Sequence, residues 1–419
     1  MNHSARAQER LLSLFRAALD AANPRTLLTA DMLPDPPRGR TIVIGMGKPA
    51  AALAAGFEAV WPHACEGLVV TCYGYAVPTE TIEIVEANHP VPDEASLDAG
   101  RRIAELVKSA GADDLIIALA TGGGSALACV PANGITLADK QEMFRALLKS
   151  GAPIMEMNIV RRAMSAIKGG RLAAVAEPAS VITYMLSDVP GDDPATIGGG
   201  TTILCPEDGA QALEVITRYG IPVAPGIKAA IGANRAPTSL AGKHERHMLA
   251  TPKTALAAAA TKAGELGMEV RNLGDLIEGE AREVAKDMAQ IVRDRASPTG
   301  PGTAAPWVLL SGGETTVTLR GQGRGGRNTE FLLALALELD GAPGVYAIAC
   351  DSDGIDGSED NAGAIITPDI LARARSKSLD GRAFLDNNDA YSFFEVLDAL
   401  VVTGPTFTNV NDFRAIVVT

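Results

Sequence analysis

The sequence predicts an α/β protein built as more than one domain. Short apolar, β-branched runs recur, each followed by a glycine-rich or acidic loop and then an alanine- and leucine-rich stretch of helical length. The composition, 47% apolar and 21% charged with a mean hydropathy of +0.13, suits large buried cores and excludes a disordered or coiled-coil chain. At 419 residues the chain is longer than one hydrophobic core usually grows. Two or three domains follow.

Taken in order, Leu11, Phe15, Ala18 and Ala22 recur at helical spacing among Arg6, Glu9, Arg10 and Arg16, which predicts an amphipathic helix and not a signal peptide. The run Thr41–Ile44 reads as a strand that ends in Gly45-Met46-Gly47-Lys48, before a helix over Ala51–Val60. This nearly matches the turn that sets a phosphate on a helix N-terminus. The next strand, Gly67–Thr71, ends in Thr71-Cys72-Tyr73 and lacks the carboxylate that would hold an adenine ribose, so a nicotinamide-dependent reading loses its second support. Lys48 stands where an anion would arrive, although a lysine at an exposed helix start is an ordinary alternative.

From Leu115 to Ala138 the chain carries no charge, but Gly122, Gly123, Gly124, Pro131 and Gly134 interrupt what would otherwise resemble a membrane span. It reads as strand Leu115–Leu119, a loop Thr121-Gly122-Gly123-Gly124-Ser125 and a helix. The loop offers unobstructed backbone N–H groups and a hydroxyl for phosphate; tight strand-to-helix packing would demand the same glycines. Asn158 to Arg171 gathers Arg161, Arg162, Lys168 and Arg171 with Gly169 and Gly170 in what reads as one helix and its end. Such cations suit a carboxylate or phosphates, although helix C-termini favour basic residues and a glycine cap anyway. Asn158, Arg161, Ser165 and Lys168 are the substrate-binding candidates.

Strand Val181–Leu186 leads into Ser187-Asp188-Val189-Pro190-Gly191-Asp192-Asp193, whose carboxylates suit a metal or a hydroxyl. Prolines 222, 225 and 237 with Lys243-His244-Glu245-Arg246-His247 mark a composition break, and the domain division is placed there, as 1–240 and 241–419. A second loose segment, Ser297–Pro306, follows the charged helix around Gly279–Arg295. Strand Trp307–Leu310 then runs into Ser311-Gly312-Gly313-Glu314-Thr315-Thr316, and a strand over Thr315–Leu319 precedes Gly321 to Glu330 and a helix over Phe331–Leu339. Arg327 at the positive end of that helix is locally unfavourable, and an anionic partner would resolve the conflict. Strand Val345–Ala349 reaches Asp351-Ser352-Asp353-Gly354-Ile355-Asp356-Gly357, which lacks the full calcium-loop spacing. In open α/β sheets ligands bind beyond the carboxyl ends of strands, so the chemistry is expected on these loops.

Fifty acidic against thirty-seven basic residues give a net charge of −13, which opposes binding to nucleic acid or an anionic membrane and requires any anion to be captured locally. Cys65, Cys72, Cys129, Cys205 and Cys350 are scattered and odd in number, as reduced thiols of a cytosolic protein would be. Among the histidines, His89 in a proline-rich loop is the one a fold could present, and the others show no metal spacing. A nucleophile-elbow motif is absent.

Together Gly45–Lys48, Gly122–Ser125, Asn158–Arg171, Ser187–Asp193, Ser311–Thr316, Gly325–Asn328, Ser352–Gly357 and the tail Thr403–Asp412 resemble the class II glycerate kinases of the MOFRL family, whose members have often been labelled hydroxypyruvate reductases. The resemblance implies two α/β domains, the first Rossmann-like and the second of MOFRL type, with the active site in an interdomain cleft. It implies Mg²⁺- and ATP-dependent phosphorylation of D-glycerate, commonly at the 2-hydroxyl, with Lys48, Arg327 and Asp353 as the catalytic residues. On this reading the nucleotide is expected on Gly45, Gly47, Gly122, Gly123, Gly124, Ser125, Gly312, Gly313 and Asn328, and the metal on Asp188, Asp193, Asp351 and Asp356. The expected partners are the acid and the nucleotide in a cytoplasmic enzyme, with a homodimer compatible with the sequence. The competing readings are an NAD(P)-dependent hydroxypyruvate reductase and a non-catalytic binder of acidic metabolites.

Overall fold

The computed structural model describes residues 3–205, 209–296 and 306–419, so the loose segment 297–306 lies outside the described residues except for Pro306. The chain divides into two compact units, one of residues 24–249 and one of residues 1–23 with 250–419. The sequence division at 240/241 places the first helix with the first domain. Here that helix packs with the second unit.

In residues 24–249 the sheet is formed by β1 (Thr41–Met46), β2 (Glu66–Cys72), β3 (Ile82–Ala87), β4 (Leu115–Thr121), β5 (Ser180–Leu186) and β6 (His244–Ala250), in the order β3-β2-β1-β4-β5-β6. Strands β1 to β5 pair in parallel. Every residue of β1 and β4 is buried, as expected of strands covered on both faces, and this is why they read as unbroken apolar runs. The helix Ala50–Val60 lays Leu53 and Phe57 on Val43, Leu119 and Tyr184. The strand order reverses between β1 and β4, so the loops leaving them open into the crevice where such sheets bind ligands. A separate helical layer around Leu147, Val160, Ile216 and Ile231 carries the cation-rich segment.

The other unit holds β7 (Glu269–Asn272), β8 (Ile277–Glu280), β9 (Trp307–Ser311), β10 (Gly313–Thr316), β11 (Val345–Asp351), β12 (Gly363–Ile366), β13 (Leu400–Val401) and β14 (Asp412–Val418). The main sheet runs β13-β12-β11-β14-β9-β7, while β10 pairs with β8 in a two-stranded sheet. Strand β14 is antiparallel to both β9 and β11, so those two end on the same edge where β14 begins. The register sets Asp351 opposite Asp412 and Ser311 opposite Arg414. The strand expected over Thr315–Leu319 lies earlier, because Gly313 (φ +106°) packs on the Ile277 backbone and fixes the pairing with β8. Val317 and Leu319 alternate like strand residues, yet Leu319 is exposed. The helix Arg327–Leu339 buries Phe331, Leu332 and Leu335 against the sheet, each contributing about 1.5–3 kcal/mol on full burial. The N-terminal helix, His3–Asp20, packs on the helix Pro252–Glu265 and sets Phe15 against Phe413, with ring centroids 5.6 Å apart. Among the described residues no helix is long and apolar enough to cross a membrane.

Candidate functional site

In residues 24–249 the loops after β1 and β4 are tied together. The Lys48 N–H donates to the Gly122 carbonyl (2.8 Å), and the Thr71 hydroxyl donates to the Lys48 carbonyl (2.8 Å). Gly47 has φ +132°, and a Cβ there would stand 2.0 Å from the Thr121 hydroxyl oxygen. At Gly122 a Cβ would stand 1.8 Å from a carboxylate oxygen of Asp188, which places Asp188 directly against the loop. The imidazole of His89 and the side chain of Lys48 flank Gly123, 3.2 and 3.4 Å from where its Cβ would lie. Gly45 is an interior residue of β1, held free of a side chain by Val69 and Leu119, and Gly124 abuts the Met46 carbonyl. Close packing therefore accounts for these glycines, and the same packing gathers Lys48, Asp188 and His89 around one turn. The Ser125 hydroxyl is buried there with no hydrogen-bond partner. Strand β2 ends at Cys72 with no carboxylate beside it in sequence, and the nearby Glu86 accepts from the Gly74 N–H instead.

The segment expected as one helix breaks. The helix Ile154–Ala163 ends before Ser165, and Gly169 and Gly170, both at positive φ, turn the chain into a new helix at Arg171. Lys168 is thus in a turn and not at a helix C-terminus, so the macrodipole does not explain it. It is fully buried and donates to the Ala128 carbonyl (2.8 Å). Burial, with neighbouring Lys140, lowers its pKa to about 7. Burial lowers Arg161 to about 10, with its guanidinium 4.1 Å from the centre of the Phe144 ring. Asn158 and Ser165 are also buried, and Ser165 donates to the Val130 carbonyl (3.3 Å). Arg171 is committed to carbonyls of Arg162, Lys168 and Asn234. Lys140, buried beside this group, was not singled out in the sequence, although it lies three, four and seven residues before the buried Met143, Phe144 and Leu147.

In the other unit the anion expected to relieve Arg327 is supplied by the protein. Its Nε donates to both oxygens of Asp412 (2.8 and 3.0 Å), Nη1 to Glu314 (2.8 Å), and Nη2 to Asp351 (2.9 Å) and Asn411 (3.3 Å). Burial alone would lower its pKa, but Asp412, Asp351 and Glu314 outweigh that and raise it. Asp412, whose side chain is fully buried, also receives Asn328 Nδ2 (2.8 Å) and Arg414 Nη2 (2.6 Å). Glu314 is the half-exposed member of the group. Arg327 also borders a cavity of about 210 Å³ lined by Thr315, Gly325, Gly326 and Asn388. Asp353, buried on the β11 loop, accepts from the Ile355 N–H (2.9 Å). Glu314, Asn411, Asp412 and Arg414 are not among the site residues expected from the sequence; Glu314 lies in the short strand β10, Asn411 immediately precedes β14, and Asp412 and Arg414 lie at the start of β14.

Of the four expected metal ligands, Asp188 and Asp193 belong to residues 24–249, and Asp351 and Asp356 to the other unit. Asp356 accepts from the backbone and side chains of Asn328 and Thr329 at 2.8–3.3 Å, capping the helix from Arg327, and burial raises its pKa. Asp351 pairs with Arg327. Both oxygens of Asp356 and both of Asp351 are thus engaged by the protein. Asp193 accepts from the Ala195 N–H (3.1 Å). Among the described residues no three acidic, histidine or cysteine side chains cluster to hold a metal on their own. Mg²⁺ needs only one or two carboxylates when phosphates supply other ligands, and Asp188 against the glycine turn fits that role. Gly312 and Gly313 pack on the Asp412 carbonyl and the Ile277 backbone, and Asn328 is buried in the Asp356–Asp412 network.

Residues 10–232 match a domain of unknown function (DUF4147), and residues 307–412 match the MOFRL family. The chain is 36% identical to the "D-glycerate 2-kinase" of Thermotoga maritima, across 96% of each chain. It is 49% identical to a "Putative hydroxypyruvate reductase" of Agrobacterium vitis, across 98% of this chain and 94% of that one. The crystal structure of glycerate kinase from Thermotoga maritima superposes with a TM-score of 0.89 at 34% identity, covering 99% of this chain and all of the other.

Proposed function

Because this chain belongs to the class II glycerate kinases of the MOFRL family, we propose that it transfers the γ-phosphoryl group of ATP to the 2-hydroxyl of D-glycerate, giving 2-phosphoglycerate and ADP. The observation that carries this reading is Lys48, set on the β1 loop where the sheet order reverses, with its backbone N–H held by the Gly122 carbonyl. A fixed cation at a glycine turn stabilises the charge of a phosphoryl group in flight, and positioning with charge is most of what phosphoryl transfer requires.

In this mechanism Asp353, oriented by the Ile355 N–H, takes the proton of the attacking hydroxyl as its oxygen bonds to the γ-phosphorus and the bond to ADP breaks. Arg327 stays fully charged through Asp412 and Asp351, and its half-exposed partner Glu314 is the one a phosphoryl oxygen would displace. Asp188, with Asp193 farther along the same loop, would hold Mg²⁺, which neutralises nucleotide phosphate charge when bound. Gly122, Gly123, Gly124 and Ser125 take the phosphates, and Asn158, Arg161, Ser165 and Lys168 take the acid. Gly312 and Gly313, packed on the Asp412 carbonyl and the Ile277 backbone, and Asn328, bonded to Asp412, are assigned to the nucleotide on the same reading.

A reductase reading draws on the name of the Agrobacterium relative and on a strand order shared with dinucleotide-binding sheets. Against it, β2 ends without the ribose carboxylate. The two separate in one experiment. The protein with ATP and Mg²⁺ is expected to form ADP only when D-glycerate is added, and to leave NADH and NADPH unoxidised with hydroxypyruvate. Oxidation of either without ADP formation would replace the kinase reading.

A further inference from the structure

We propose that Lys140, Arg161 and Lys168 form a buried oxyanion site within residues 24–249, which receives the carboxylate of the acceptor acid or a phosphate group. The inference deepens the kinase reading and depends on it only in naming the acid. Three elements supply the cations. Lys140 comes from the helix Leu137–Ser150, Arg161 from the helix Ile154–Ala163, and Lys168 from the turn that follows it. Lys140 and Lys168 are 2% and 0% exposed, and the Lys168 stem runs against Gly199, where a Cβ would meet its Cδ at 2.8 Å.

The anomaly is the missing counter-charge. Lys140 Nζ and Arg161 Nε are buried with no carboxylate or carbonyl to accept from them, and Lys140 has the Cys129 thiol as its hydrogen-bonding neighbour. The groups acting on Lys168 are Lys140, Arg161 and the Cys129 thiol, and those acting on Lys140 are Cys129 and Arg161. None of the three cations forms an ion pair with a carboxylate among the described residues. The arginines of the other unit behave differently: Arg282 meets Glu330, while Arg327 and Arg414 meet Asp412. Like charges buried together are unfavourable unless they lose protons or gain an anion. Burial lowers both lysines here, Lys168 to about 7, whereas Arg161, at about 10, remains charged at neutral pH. An arriving oxyanion supplies the opposite charge, accepts from donors that the protein leaves unused, and draws protons back onto the lysines. A merely structural lysine would bring its own carboxylate. Neither lysine does: Lys168 spends one donor on the Ala128 carbonyl and Lys140 faces the Cys129 thiol.

The test uses the full chain without nucleotide, in chloride buffers at pH 7.5, titrated calorimetrically with inorganic phosphate and with D-glycerate at matched ionic strength. At least one oxyanion is expected to bind with net proton uptake, read from two buffers of different ionisation enthalpy, and to raise Tm where chloride does not. Which of the two binds identifies the source of the anion. The Lys140→Met variant is expected to melt higher than the parent when empty, yet to bind at least tenfold more weakly. If that variant does not fold, Arg161→Gln replaces it with the same expected loss of binding. No binding of either oxyanion to the parent, or binding by the folded variant within twofold of the parent, overturns the proposal. Oxyanion binding without ADP formation would sink the kinase reading and leave this site standing. Glycerate phosphorylation with no oxyanion binding would do the reverse.

Discussion

Replacing Lys168 with Met should stabilise the empty protein at low pH, by an amount that the structure bounds. Burial and the neighbouring Lys140 bring the Lys168 pKa from 10.5 to about 7. Each unit is worth about 1.4 kcal/mol, so the charged form opposes folding by about 5 kcal/mol. Methionine keeps most of the volume, but it leaves the Ala128 carbonyl without its 2.8 Å donor, a loss of about 1 kcal/mol. At pH 6, where Lys168 is protonated in both folded and unfolded chains, the variant should be about 3–4 kcal/mol more stable. The folded pKa is the depressed one, so between about 7 and 10.5 the unfolded chain holds a proton that the folded chain lacks. The parent therefore regains about 1.4 kcal/mol per pH unit across that window, and the gap narrows to about 1 kcal/mol at pH 9. Urea unfolding in chloride buffers, free of phosphate and sulfate, reads this through Trp61 in a Trp307→Phe background, since those are the only two tryptophans and Trp61 belongs to residues 24–249. A variant less stable than the parent at pH 6, or a gap indifferent to pH, would refute the reasoning.

Other consequences are as direct. Lys48→Ala should lower kcat about 10²–10³-fold while leaving the circular dichroism spectrum and Tm close to those of the parent, and turnover within twofold would remove its role. Asp412→Ala should cost about 3–5 kcal/mol in urea unfolding, because Arg327 loses its two-oxygen partner and the buried Arg414 is left uncompensated; a loss under 1 kcal/mol would show the network to be dispensable. Gly122→Ala drives a Cβ into the Asp188 carboxylate, so the Mg²⁺ concentration giving half-maximal rate should rise, and an unchanged Mg²⁺ dependence would take Asp188 out of metal binding.

Much of the first unit was legible because its strands are buried on both faces. β1, β4 and β5 appear in the sequence as unbroken apolar runs ending in glycine or aspartate, and the loops that carry Lys48 and Asp188 could be placed from that alone. The surroundings of Arg327 were less accessible. Its carboxylates come from Glu314, Asp351 and Asp412, and they meet only because β14 runs antiparallel between β9 and β11, a pairing that local pattern does not encode. The same limit hid the destination of the first helix: its apolar stripe predicts burial but not the partner, Pro252–Glu265. Asp356 misled for a related reason. A carboxylate in a glycine-flanked loop looks like a metal ligand until the distant helix start at Asn328 and Thr329 is seen to occupy it. Lys140 gives no signal in the sequence, because a lysine within a charged, amphipathic helix is ordinarily solvated, whereas this one shares the face of Met143, Phe144 and Leu147.

The reaction itself is most directly tested by ³¹P NMR of the protein incubated with ATP, Mg²⁺ and D-glycerate. The account predicts ADP together with a phosphomonoester resonance that matches 2-phosphoglycerate and is split by the single proton on the carbon bearing the phosphate. A product carrying its phosphate on the 3-hydroxyl would contradict the proposed regiochemistry, and ATP left intact in the presence of D-glycerate would contradict the phosphoryl transfer altogether.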